Sequence, residues 1–307
     1  MSGPERARVN IVWDMETMDP DDYLTLLLLL GHPQVNLKAV TITPGSQHQV
    51  GFVRAALAWF GREALPVGAF NLAHEKTCVS SWHYKAYGDI PPSQEAEPGA
   101  EVLLRCCDEQ TTLLTGAPLK NLGRALALAQ EREQPFKIGR LVTQGGFAGE
   151  GVVPPELQIA RFRGLTTCPT FNLNGDPRSA LAALASPQIG IRRFVSKNVC
   201  HRVFYDHALH AQVAAIKDQS RSLQLIWQGM EVFLHRPSKQ GQVNTAGKKL
   251  HDPLAACCAI DETIGTWAEV ELYREHGAWG SRLAPGSNTW IIVDYHRERF
   301  LQTLLAV

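Results

Sequence analysis

Short β-branched runs alternate with longer leucine- and alanine-rich stretches along most of this chain, the order expected of strands and crossover helices in an α/β sheet. The apolar run Val9–Trp13 predicts a first strand and Tyr23–Leu30 a first helix. Leu37–Thr43 predicts a second strand, stopped by Pro44-Gly45, and Val50–Phe60 a second helix. Further strands are expected at Thr111–Thr115, Ile138–Thr143 and Ile191–Val195, and further helices at Leu119–Ala129, Pro177–Ala185 and Leu209–Ala215. Spacers long enough to hold a helix favour parallel pairing of the strands they join. The fold class expected is therefore an open, mostly parallel sheet flanked by helices, in one domain over residues 1–307. Two stretches break the pattern. Residues 74–99 are rich in proline and aromatics, residues 236–250 are polar, and long loops of this kind suit lids over a site.

The polar positions are as uneven as the apolar ones. Between the first strand and the first helix stand Asp14, Glu16, Asp19, Asp21 and Asp22, five carboxylates in nine residues. Like charges this close raise one another's pKa and oppose folding unless a cation or strong donors neutralise them. A helix N-terminus accounts for one or two acids, not five. Oxygen-only donors suit a hard ion, Ca²⁺ or Mg²⁺. In an open parallel sheet, ligands bind beyond the carboxyl ends of the strands. The acidic cluster follows the first strand, Thr115–Asn121 and Gln144–Phe147 each follow another, and His251-Asp252-Pro253 opens an apolar helix. Four polar clusters are thus expected on one edge of the sheet.

Charge and cysteine content narrow the partners. With 30 basic and 30 acidic residues the formal net charge is zero, so there is no electrostatic footprint for nucleic acid or an anionic membrane. The run Leu24–Leu30 is too short to span a bilayer, and Met1–Arg8 carries no apolar targeting core. Seven cysteines, an odd number without CxxC spacing, read as reduced thiols of a cytoplasmic protein. No Gly-x-Ser-x-Gly elbow is present, and no cysteine has an obvious base partner. A small-molecule ligand is the expectation.

The order of these clusters resembles the inosine-uridine-preferring nucleoside hydrolase family. That family has a D-x-D-P-G-x-D-D loop after its first strand, a T-G-P-L-T-N turn, an M-G-G strand end, an E-F-N segment before a D-P-E-A helix, and a late H-D-P. This chain offers Asp14-x-Glu16 then Asp21-Asp22, Thr115 to Asn121, Gln144-Gly145-Gly146, Phe171-Asn172 then Asp176-Pro177, and His251-Asp252-Pro253. The resemblance runs from about residue 8 to residue 270. It implies a Rossmann-like N-ribosyl hydrolase that cleaves the N-glycosidic bond by a metal-activated water and serves purine or pyrimidine salvage. It further implies Ca²⁺ held by Glu16, Asp22, Asp252 and the Thr115 carbonyl, with Glu16 also the base for the attacking water. Asp21 and Asn172 would bind the 2′- and 3′-hydroxyls of ribose, and His251 would protonate the departing base. Homodimers or homotetramers are common in the family.

Three departures accompany the match. The first loop is one residue longer than the family's and carries Glu16 where an aspartate is expected, so Asp19 competes for the role of first ligand. Thr170 and Gly164 stand at two family positions that grip the 5′ end of ribose, with Arg161 and Arg163 nearby, a change that suits a 5′-phosphate. Finally, residues 74–99 bring Lys76, Trp82, His83, Tyr84 and Lys85, of which Trp82 and His83 are expected to meet the base. The substrate expected is a ribonucleoside or a 5′-modified nucleotide. A second reading is a catalytically weak or inactive relative that holds a ribose-containing ligand such as ADP-ribose.

Overall fold

The computed structural model describes residues 8–236 and 247–307. Its strands are β1 Val9–Met15, β2 Val35–Ile42, β3 Val67–Ala69, β4 Glu97–Pro98, β5 Thr111–Thr115, β6 Ile138–Gln144, β7 Thr167–Cys168, β8 Ile189–Val195, β9 Phe204–Tyr205, β10 Lys248–Lys249, β11 Gly265–Glu275, β12 Ala278–Leu283 and β13 Thr289–Tyr295. Eleven of them form one sheet in the order β4-β3-β2-β1-β5-β6-β8-β13-β11-β12-β7, and β9 pairs with β10 separately. Pairing is parallel from β4 to β13 and antiparallel from β13 to β7. The expected mostly parallel sheet is present. Its antiparallel third comes from residues for which the apolar pattern had been given no element.

The chain leaves β1 towards β2 on one side and returns to pair β5 on the other, so the strand order reverses at β1. At such a reversal the loops beyond neighbouring strands splay apart and leave a crevice. Asp14 pairs with Thr115 across that boundary, which brings the acidic loop after β1 beside the turn after β5.

The helix Pro20–Gly31 starts at once after the acidic loop, with Pro20 at its first position and Asp21 and Asp22 in its first turn. Proline costs no hydrogen bond there, and the carboxylates face the positive end of the helix dipole. Every residue from Pro20 to Leu30 is buried. The leucines need no polar face because helices Arg221–Leu234 and His251–Ile260 also pack against this one, the latter lying on the sheet beside it. The sheet separates this apolar mass from a second cluster centred on Leu113, Leu122, Leu141 and Phe194. Among the described residues no helix is long and apolar enough to cross a membrane.

The stretch 74–99 is not an open lid. It holds a helix, Ser81–Tyr87, that packs on Arg221–Leu234. Of the expected second loop, residues 237–246 lie outside the described residues, and Lys248–Lys249 form strand β10.

Candidate active site

A cavity of about 440 Å³ opens beyond the carboxyl ends of β1, β5 and β6. Glu16, Met18, Asp19, Asp21, Asp22 and Asp252 line one part of its wall, and Gln144, Thr170, Asn172, Lys197, His201 and His251 another. The volume suits a small molecule. Four of the sequence clusters do converge here, as the strand-end rule requires.

The acidic part is tight. Ligand oxygens of Asp21, Asp22 and Asp252 lie within 4.8 Å of one another, and all three residues are buried. Asp22 accepts the backbone N–H of Glu16 at 3.0 Å, which folds the loop over the helix start. Asp252 keeps one oxygen buried without any partner. Thr115 is the last residue of β5, and Gly116 follows it. A Cβ on Gly116 would stand 2.7 Å from Asp252, so the strand end and this carboxylate approach as closely as glycine permits. Beneath the cluster, Asp14 accepts from Thr41 at 2.7 Å and Asn121 at 2.8 Å, both on one oxygen, and its other oxygen is unpaired.

Burial comes first among the causes that raise these acids. It pushes Glu16 up to about 7, with the charges of Asp19 and Asp21 adding to it. Asp14 rises to about 6 by burial, against its two hydrogen bonds. Burial and like charges lift Asp22 and Asp252 well above the carboxylate range. Asp21 goes the other way. Burial would raise it too, but Lys248 and His251 outweigh that and leave it below its ordinary value.

Lys248 has no counterpart in the sequence reading. Its buried amine donates to Asp21 at 2.8 Å and to the Lys249 carbonyl at 2.7 Å, and lies 3.1 Å from Asp19. One cation thus pairs with Asp19 and Asp21 and partly offsets Asp252, while among the described residues Asp22, Asp252 and Glu16 form no ion pair. Buried Asp21, Asp22 and Asp252, with an orphaned oxygen on Asp252 and only partial compensation from Lys248, form with half-buried Glu16 an oxygen-only donor set that fits a hard divalent cation. Glu16, Asp22, Asp252 and the adjoining Thr115 could supply it, with Asp21 close by and Asp19 turned to Lys248.

Asn172 reaches the cavity from the helix Phe171–Gly175, its amide nitrogen donating to the Gln144 carbonyl at 3.0 Å and the Gln144 side chain at 2.9 Å. The His251 backbone N–H donates to Asp21 at 3.0 Å, and its ring Nδ1 lies 3.1 Å from the Cys200 sulfur. Burial holds His251 down at about 4, although Asp21 pulls the other way, and pushes the Cys200 thiol up to about 12.

Three expected contacts need correction. Trp82 and His83 do not form a wall of the acidic cavity. Trp82 is 5% exposed, its indole N–H donates to the Gly229 carbonyl at 2.8 Å, and its ring packs on His83 and Tyr87. His83 is fully buried between Tyr23 and Phe52, with burial holding it at about 3. The apolar back of the helix Pro20–Gly31 recruits both, since aromatic rings so placed remove more surface from water than they would as a flap. Arg163 is exposed and outside the cavity wall. The short turn Ala160–Phe162 buries Phe162, and Arg161, also exposed and outside the cavity wall, lies over the Phe162 ring and 3.5 Å from His201.

Comparison with known proteins agrees with this geometry. The inosine-uridine preferring nucleoside hydrolase family matches residues 11–302. The chain is 28% identical over 275 residues to a pyrimidine-specific ribonucleoside hydrolase RihA of Shewanella sp. (strain MR-7), covering 83% of this chain and 80% of that one. It is 26% identical over 315 residues to the RihA of Klebsiella pneumoniae, covering 92% and 93%. Among solved structures, a purine-preferring ribonucleoside hydrolase from Gardnerella vaginalis superimposes with a TM-score of 0.71 at 17% identity, covering 97% of each chain.

Proposed function

We propose that this chain, which belongs to the inosine-uridine preferring nucleoside hydrolase family and is an N-glycosyl hydrolase, is a Ca²⁺-dependent N-ribosyl hydrolase of a ribonucleoside or a 5′-modified nucleotide. The observation that supports the metal is the cluster of buried carboxylates Asp21, Asp22 and Asp252 beside half-buried Glu16, which Lys248 compensates only in part. Glu16, Asp22, Asp252 and the Thr115 carbonyl would hold the ion. When bound, Ca²⁺ would make a water more acidic and anchor the sugar.

The chain's own groups do the rest. Glu16, at the start of the acidic wall, would take a proton from the attacking water. Asp21, kept ionised by Lys248, would accept from a ribose hydroxyl, and Asn172, fixed by Gln144, would hold the other. The acidic wall favours the positive charge that develops at the anomeric carbon as the glycosidic bond breaks. His251 borders this cavity beside Asp21, a place from which it would meet the departing base. The same reading gives a cytoplasmic salvage enzyme that self-associates as a homodimer or homotetramer.

The test is release of free base from nucleosides and their 5′-monophosphates, with Ca²⁺ and with chelator. Chelator-sensitive release that is lost in Glu16→Gln is the expected result. Release indifferent to chelator would overturn the metal assignment.

A further inference from the structure

The cavity wall is charged in opposite senses at its two ends. Lys197 and His201 line the part of the wall beside His251, and two more cations stand behind them. Lys249 Nζ lies 3.4 Å from His201 Nδ1, and Arg161 Nη1 lies 3.5 Å from the same nitrogen. Both are donors, so His201 meets them as a neutral acceptor. Its own burial, then His251, Lys249, Arg161 and Lys197, hold it at about 3.

None of the ion pairs among the described residues includes Arg161, Lys197 or Lys249. Lys197 instead donates to the Pro169 carbonyl at 2.8 Å, which places its amine beside Thr170. Thr170 lines the same cavity, is 4% exposed, and its buried hydroxyl oxygen has no hydrogen-bond partner. Three like charges around one imidazole, next to an unpaired buried hydroxyl, repel one another until an anion arrives. Cys200, His201 and His251 also bring ligand atoms within 4.8 Å of one another, as a soft metal would need. The surrounding cations oppose a second metal and favour an anion.

We infer that this end binds the phosphate of a nucleoside 5′-monophosphate, so that the enzyme takes a phosphorylated ribonucleoside in preference to the free nucleoside. The inference rests on the hydrolase reading of the acidic end. The phosphate ester stays intact. A water oxygen bonds C1′, the C1′–N bond breaks with its electron pair passing to the base nitrogen, that nitrogen takes a proton, and the products are free base and ribose 5-phosphate. Lys197 and Thr170 contact the phosphate, with Lys249 and Arg161 adding charge through and around His201.

The deciding experiment compares kcat/KM for matched nucleoside and 5′-monophosphate pairs, with NAD and ADP-ribose alongside, in wild type, Lys197→Met, Lys249→Met and Arg163→Ala. Wild type is expected to favour the monophosphate, Lys197→Met to cut that preference by about tenfold, the size of one lost charge-assisted hydrogen bond, and Lys249→Met to cut it by less, as loss of a charge without a contact. Arg163→Ala is expected to leave the preference intact. Equal use of both substrates, or a preference unmoved by either lysine variant, overturns the phosphate site while leaving the hydrolase standing. A preference for NAD or ADP-ribose over every monophosphate overturns it in favour of a pyrophosphate. If no substrate is cleaved, the hydrolase reading fails by itself. Equilibrium binding of ribose 5-phosphate against ribose then decides the site, with tighter binding that Lys197→Met abolishes supporting it and equal binding overturning it.

Discussion

The helix Pro20–Gly31 has two kinds of neighbour, and they treat buried polar atoms differently. Behind it, Trp82, Tyr23 and Tyr87 each place a polar hydrogen on a backbone carbonyl, of Gly229, Phe52 and Leu225, at 2.8, 3.0 and 3.1 Å. At its start, Asp14, Asp252 and Thr170 keep buried oxygens without partners, and Glu16, Asp22 and Asp252 are pushed up by burial and one another. His83 Nε2 is the exception behind the helix, buried without a partner. A paired buried group contributes modestly to stability, whereas an unpaired one costs the full loss of its hydration. The first region is arranged for folding and the second for something yet to bind.

The contrast breaks most sharply at Trp82. Trp82→Ala should cost about 3–5 kcal/mol of stability by cavity formation and a lost hydrogen bond, with little change in kcat/KM per folded molecule. Denaturant unfolding and assays on the folded fraction check both halves. Lys248→Met strips Asp19 and Asp21 of their cation and should cost about 3 kcal/mol, as when one partner of a buried ion pair is removed. Saturating Ca²⁺ should restore part of that loss, seen as a larger metal-induced rise in Tm than in wild type. Asp22→Asn should act in opposite directions at once. The metal-free protein should melt higher because a repelling charge is gone, while Ca²⁺ no longer raises Tm and kcat/KM falls at least about 100-fold. Full metal affinity in that variant would remove Asp22 from the site.

The smallest effect separates the regions by pH. Glu16 titrates at about 7 in the fold against an ordinary 4.5, so its contribution is complete below pH 4.5 and is lost as pH rises through about 7. Asp14 behaves alike, losing its contribution as pH rises from 3.8 through about 6. His83 is lowered to about 3 from 6.5, so its contribution is present above pH 6.5 and is lost as pH falls towards about 3. Melting in chelator should therefore decline on both sides. Glu16→Gln should flatten only the alkaline limb and His83→Phe only the acid one.

Much of the first half of the fold was legible because its signals are local. Thr111–Thr115 and Pro177–Ala185 are found with the expected bounds, and the acidic loop lies at a strand end as anticipated. The helix Arg221–Leu234 also had a readable stripe, Leu223, Ile226, Met230 and Phe233, at helical spacing, but no element had been assigned there. Strands β11 and β12 were harder, since charged and small positions interrupt any apolar run, whereas β13 carries the readable run Trp290–Val293. Lys248 had no local signal at all. A lysine in a polar stretch reads as solvated, and only the pairing of β10 with β9 carries its amine to Asp21, 227 positions away. Trp82 and His83 misled for the converse reason. Aromatics in a proline-rich segment look free until a helix surface exists to receive them.

The two ends of the cavity are written on different pieces of chain. The carboxylates come from β1 and the two helices that seal the core, so a change there disturbs the fold as well as the chemistry. The cations come from the turn Ala160–Phe162, the four-residue helix Lys197–Cys200 and the short strand Lys248–Lys249, all at the periphery of the sheet. Substitutions of Arg161, Lys197 or Lys249 leave the bond-breaking side chains themselves in place, whereas Cys200 and Lys248 in the same segments touch His251 and Asp21. A scaffold so partitioned can drift from one substrate to another while its reaction stays the same, and a library confined to residues 160–163, 197 and 249 is the natural place to redirect it.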